Sequence, residues 1–211
     1  MPFEAVRCRR RQCNRRHHRN VRTPAWQVPP LLLAIAGCSA ADTAIASPAW
    51  TIRFRWPDGP RDCEAVAVDI EDERILLLSK RSIPTVLYEL PIRPGSNEVV
   101  TATRLGAVDS LPQPTARDIE RAPAELDGHW QPTAMDIPAD GSAAVILTYR
   151  AVYHFERTGG EPWIAALRKP PSVIDLEFEA EAVAFVENGG SVIVTVEASS
   201  APLYQVPLIR D

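Results

Sequence analysis

One short unit occurs three times in this chain, and few folds accept such a pattern. The copies open with Cys63-Glu64-Ala65-Val66-Ala67-Val68, Pro132-Thr133-Ala134-Met135-Asp136-Ile137 and Ala180-Glu181-Ala182-Val183-Ala184-Phe185. A polar turn follows each: Glu71-Asp72-Glu73, Asp140-Gly141 and Asn188-Gly189-Gly190. A second apolar run then covers residues 75–79, 144–148 and 192–196, and a third is built around Tyr88, Tyr153 or Tyr204. Short apolar runs bounded by turn residues read as strands joined in hairpins. The first two runs align from copy to copy without a gap, a spacing that unrelated strands would not keep.

A further apolar stretch precedes each unit, at residues 50–55, 103–108 and 173–176. Four antiparallel strands per repeat make a propeller blade, so each unit is expected to form one with the strand before it. The predicted fold is all-β: a propeller-like array of about three four-stranded antiparallel blades over residues 50–211, with repeat cores 62–92, 131–157 and 179–208. Nearly continuous apolar runs suit strands buried on both faces between stacked blades. The 20 prolines lie along the whole chain, which fits short strands and disfavours long helices. The Pro-rich, acidic insert 111–128 reads as a surface loop with a helical turn near residues 116–121. The repeated tyrosines, with Trp56, Trp130 and Trp163, are assigned to packing.

Three blades fall short of the four to eight of closed propellers. An open array exposes two blade faces, each of roughly 400–600 Å² of apolar surface, which forfeits about 10 kcal/mol per face. Net domain stability is only about 5–15 kcal/mol. The chain is therefore expected to pair with a second copy or with another protein that completes the propeller, or to be a fragment of a longer one.

The net charge of −4 hides an uneven distribution. Residues 1–22 hold eight arginines and one acid, whereas from Cys38 onward 15 Lys and Arg face 26 Asp and Glu, a balance of −11. An acidic body cannot neutralise phosphates, so nucleic acid is excluded as a partner; cations or basic partners suit it. Residues 28–37 form an apolar run too short to span a bilayer and end in Ile35-Ala36-Gly37-Cys38. These four residues resemble the bacterial lipobox, whose cysteine is lipidated. The expected division is a basic segment 1–20 upstream of a start at Val21, a lipoprotein-type signal 21–37, Cys38 as the lipidation site and a linker 38–49, the N-terminus being disordered. An ordinary signal cleaved after Ala41 is the alternative. The expected location is the periplasmic side of a bacterial envelope, reached by the lipid anchor alone, or secretion. Cys63 is then the body's one thiol, which leaves no internal disulfide.

Antiparallel pairing about the turn centres sets Glu64 opposite Lys80, Thr133 opposite Tyr149 and Glu181 opposite Glu197. In a propeller these positions fall at one end of the central channel, with Arg81 and Arg150 beside them. Glu64, Lys80, Arg81, Thr133, Tyr149 and Arg150 are the ligand-binding candidates. Glu64 and Lys80 neutralise one another. Glu181 and Glu197 are like charges that share a proton or hold a cation, so they and Asp136 are the metal candidates, with Ca²⁺ the ion that suits them and no cofactor otherwise required. The alternative is that these acids bond backbone N–H groups of the next blade or take Arg150. No nucleophile elbow or phosphate loop is present, and His129 and His154 fall on different elements, so no catalytic residue is assigned.

Asp62-Cys63-Glu64-Ala65, Leu78-Ser79-Lys80-Arg81, residues 131–136 and Ala201-Pro202-Leu203-Tyr204 together resemble a family of secreted bacterial β-propellers of undefined activity, loosely related to the phytase-like and esterase-like propeller group. The resemblance spans about residues 50–208 and implies the fold; such relatives carry further N-terminal blade sequence that this chain lacks. The leading expectation is an exported, lipid-anchored binding or scaffold propeller. A metal-dependent phosphoester or ester hydrolase is the first alternative, and a degenerate fragment is the second.

Overall fold

The structure, a computed structural model, describes residues 50–95, 99–113, 128, 130–186 and 189–208. The signal, Cys38, the linker and the helical turn expected near residues 116–121 lie outside the described residues.

All three repeats form hairpin sheets. The first contains β2 (Asp62–Asp69), β3 (Arg74–Lys80) and β4 (Val86–Pro91); the second β7 (Pro132–Asp136), β8 (Ala143–Thr148) and β9 (Ala151–Glu156); the third β11 (Ala182–Phe185), β12 (Ser191–Thr195) and β13 (Leu203–Pro207). Four further strands are β1 (Arg53–Arg55), β5 (Val99–Thr101), β6 (Thr103–Ala107) and β10 (Ser172–Asp175). The sheet orders are β2-β3-β4-β6, β10-β9-β8-β7 and β11-β12-β13, every pair antiparallel. Sheets stack face to face through their inner strands, β2 on β7 and β7 on β11. The result is an incomplete propeller-like array with no closed barrel.

One expectation is corrected. The extra strand belongs to the blade before it, not the one after: β6 pairs with β4 and β10 with β9. Each is thus the outermost strand of the repeat that precedes it. The third blade accordingly has three strands among the described residues, and β1 joins no blade. It pairs instead with β5, in parallel, as a two-stranded ribbon.

That ribbon changes the account of the open ends. Ile52, Phe54, Trp56 and Val100 pack on Ile75, Leu77, Val86, Tyr88 and Leu90 of blade one. The Trp56 ring meets Tyr88 edge-on at 4.9 Å, and Tyr88 is wholly buried. Blade one's outer face is therefore covered over β3 and β4, where bare surface was expected.

Blade faces follow a rule set by the two-residue period of the strand. The row Val66–Leu77–Tyr88 faces the ribbon, Met135–Ile146–Tyr153 faces blade one, and Val183–Val194–Tyr204 faces blade two. Each repeated tyrosine thus looks toward the layer before it, and Tyr204 stacks on Phe178 at 4.2 Å. The alternate rows, such as Ala65–Leu78–Leu87, look toward the next blade.

The one helix among the described residues, α1 (Trp163–Ala166), begins after Pro162, whose fixed φ suits a helix entry. It wedges Trp163, Ala166 and Leu167 into the core between blades one and two. Gly106, at φ 148° beside a bulge in β6, gives it room: a Cβ there would stand 2.9 Å from the Arg168 guanidinium.

Candidate functional site

The inner strands bring the acid and base candidates together at one end. Ladder pairing differs from expectation by one residue, because Asp62 opposes Lys80 and Ala65 opposes Leu78. Two residues, Cys63 and Glu64, therefore face one, Ser79. Blade two repeats the device: Pro132 opposes Thr148, Ala134 opposes Leu147, and Thr133 is the extra residue. Such bulges re-aim side chains at strand ends. Here the bulge restores a contact that register alone would have lost, for Lys80 Nζ donates to Glu64 Oε2.

Lys80 is 3% exposed although it ends its strand. Its ammonium also donates to Tyr149 Oη at 2.9 Å and lies 5.0 Å from the centre of that ring. Burial alone would depress the Lys80 pKa; the hydrogen bonds to Glu64 and Tyr149 outweigh it and hold the group above its ordinary value. Blades one and two are thereby joined through a charged group.

Blade three brings Glu181 to the same place. Burial pushes its carboxyl up, and the charges of Glu64, Glu197 and Glu179 push it further, against an opposing pull from Lys80. Glu181 itself leads into blade three's inner strand, its N–H donating to the Thr195 carbonyl at 2.9 Å. Glu179 is already engaged, with Arg150 Nη2 at 3.7 Å from its carboxylate.

The remaining candidates serve other contacts. Arg150 also reaches the Glu177 carbonyl at 3.4 Å, and Arg81 lies 3.1 Å from the Asp62 carboxylate. The buried Thr133 hydroxyl donates to the Ala180 carbonyl at 3.0 Å, tying blade two to blade three. Asp136 accepts the Phe185 N–H at 2.7 Å, the inter-blade bond that was the alternative to metal binding. Burial raises its pKa against the pull of the Phe185 and Ile137 N–H groups. It does not join Glu181 and Glu197, and among the described residues no three His, Cys, Asp or Glu side chains are grouped to hold a metal ion. His154 is buried on β9 beside the Phe185 ring.

Two features escaped sequence reasoning. At the far end of the blades, buried Asp69 accepts Trp163 Nε1–H at 2.5 Å, Arg157 Nη1 at 3.3 Å and the Asp72 N–H at 3.1 Å. This knot fastens the first hairpin turn to the segment that carries α1. Beside the mouth, Arg81, Ser82, Thr85, Trp130 and Gln131 line a cavity of about 10 Å³, the size of one water. Gln131 Oε1 is buried there without a hydrogen-bond partner. A larger hollow of about 340 Å³ lies by the first hairpin turn, away from the mouth, where Arg74 and Glu89 already pair.

No protein-family model matches the chain, and no curated protein matches it significantly. Among solved structures, the chain is similar to hydrazine synthase of Kuenenia stuttgartiensis, with 13% identity, a TM-score of 0.38, and coverage of 69% of this chain and 34% of that one. It is also similar to a luciferin-regenerating enzyme, with 12% identity, a TM-score of 0.39, and coverage of 70% and 45%. The chain thus spans less than half the length of either.

Proposed function

We propose that this chain is an exported, lipid-anchored binding propeller that holds a cationic ligand at its channel mouth. The observation that supports the reading is an excess of acid: the one buried ammonium among the described residues, Lys80, is paired with Glu64, while Glu181 is pushed above its ordinary range by burial and by the charges of Glu64, Glu197 and Glu179. Like charges brought close cannot all ionise freely, and a bound cation relieves them. The lysine that neutralises Glu64 leaves Glu181 and Glu197 as the groups that would meet the ligand. The acidic balance of the body, −11 from Cys38 onward, favours approach by a cation from solution. The export signal would place this mouth on the periplasmic side of the envelope, with Cys38 as the anchor.

Calorimetric titration with calcium chloride, and separately with 1,4-diaminobutane, tests the reading. Binding of either cation, weakened at least tenfold in Glu181→Gln, is expected. Absence of heat with both, or binding indifferent to Glu181→Gln and Glu197→Gln, would overturn it.

A further inference from the structure

Blade three repeats a face that nothing among the described residues covers. In blade one the row Ala65–Leu78–Leu87 is wholly buried against blade two, each residue at 0% exposure. In blade two, Leu147 and Val152 of the matching row are likewise at 0%, against blade three. The matching row of blade three is Ala182–Thr195–Leu203, and there Leu203 stands 73% exposed. Ala182 and Ala184 are exposed with it, and Ile193 is only half-buried. The repeat has kept small and aliphatic residues suited to an inter-blade junction at a position where, among the described residues, no blade follows.

Blade one shows the complementary deficit. In the two internal junctions, the outer strand of one blade packs on the tyrosine face of the next: Leu105 of β6 lies in the cluster with Tyr153, and Ile174 of β10 in the cluster with Val194. Ile52 and Phe54, from β1 and its approach, stand in this same relation to Tyr88. So β1 occupies the station of the outer strand of a preceding blade, whose inner strands are absent among the described residues. It pairs on one side only, with β5. Val66 and Val68, on the inner strand of that same face, stay half-exposed where inner strands would lie. At the other end, among the described residues, β13 pairs only with β12 and blade three has no outer strand.

We infer that these two half-junctions complete one another between two copies of the chain. The open face of blade three packs beside the ribbon on blade one of a second copy, and that copy's β1 pairs with β13 as its fourth strand. The contact is head-to-tail and extends the junction already made twice within the chain. Two copies joined at both ends supply six blades, inside the four-to-eight range that closes, and closure separates a finite ring from a filament. Of the seven exposed large apolar side chains among the described residues, Trp50 and Val99 lie at the ribbon and Leu203 on the open face, whereas Ile70, Ile83 and Val173 lie elsewhere and Tyr204 looks toward blade two. Completing the ring would also enclose the channel mouth, although the inference stands independently of what the mouth binds.

Sedimentation equilibrium of the full chain at micromolar concentration tests the assembly. A dimer is expected for the parent. Leu203→Asp and Ala184→Arg alter exposed residues of the open face and are expected to weaken the dimer at least a hundredfold while keeping the parent's circular dichroism spectrum. Val173→Asp, at an exposed apolar residue on outer strand β10, is expected to leave it dimeric. A monomeric parent, growth beyond the dimer with concentration, or a dimer indifferent to both face variants would overturn the inference. A monomer would leave closure to a different protein. Calcium binding lost in a dimer that still forms would count against the proposed function alone.

Discussion

Asp69 offers the sharpest test of how the array is held together, because its replacement by alanine strands two buried donors at once. The carboxylate is fully buried and takes the Trp163 indole N–H, the Arg157 guanidinium and the Asp72 N–H. Arg157 is itself only 5% exposed, with its charge 4.4 Å from the centre of the Trp163 ring. Without Asp69 the guanidinium keeps Asp72, at 2.6 Å, and the Glu161 carbonyl, at 2.7 Å, while the indole N–H loses its partner. Leaving the indole N–H and the Arg157 Nη1–H without a partner costs about 1–3 kcal/mol each, or about 3–5 kcal/mol together. With a urea dependence of about 2 kcal/mol per molar, that lowers the unfolding midpoint by roughly 1.5–2.5 M. Tryptophan fluorescence in a urea titration reads the shift, since Trp163 sits in the knot. Asp72→Ala removes the exposed arm of the same network and should cost less than about 1 kcal/mol. A loss for Asp69→Ala no greater than that for Asp72→Ala would refute the reasoning.

Two further outcomes follow from the electrostatics. Burial pushes the Cys63 thiol up to about 12, so it stays protonated at pH 8, and iodoacetamide should label it only after unfolding; rapid labelling of the native chain, read by peptide mass, would contradict this. The folded Glu181 pKa is raised, so its favourable contribution is complete below the unfolded value near 4.5 and is lost as pH rises through the folded one. Glu181→Gln should therefore gain stability relative to the parent as pH goes from 4 to 7, and a pH-independent difference in melting temperature would dismiss the assignment.

The strands were legible because each apolar run ends at a turn of charged, Asn or Gly residues, and because the repeat checks itself. Ownership of the outer strands was not. Whether residues 103–107 pair with the unit before or after depends on contacts that no local pattern encodes, and the array places them against β4. Register was misjudged by one residue in all three hairpins, because the turns close one position away from the centre assumed for them, and the bulge at Cys63–Glu64 adds a further residue that alternation does not reveal. The Glu64–Lys80 pair survived the error, since the bulge returns Glu64 to Lys80. The Asp69 knot joins residues 88 and 94 positions apart, and in sequence Asp69 is one acid among several near a turn. The parallel β1–β5 ribbon was likewise beyond reach, because β5 is only three residues long and carries no signal of its partner.

The account stands on blades that meet face to face with their inner strand ends around one mouth, and the Lys80–Tyr149 contact crosses that junction. A double-mutant cycle with Lys80→Met and Tyr149→Phe, read by urea unfolding, measures it directly. Stacked blades predict that the two effects fall short of additive by about 1 kcal/mol, as for buried partners in one network. Additivity within about 0.3 kcal/mol, the behaviour of independent sites, would mean that the two side chains do not meet.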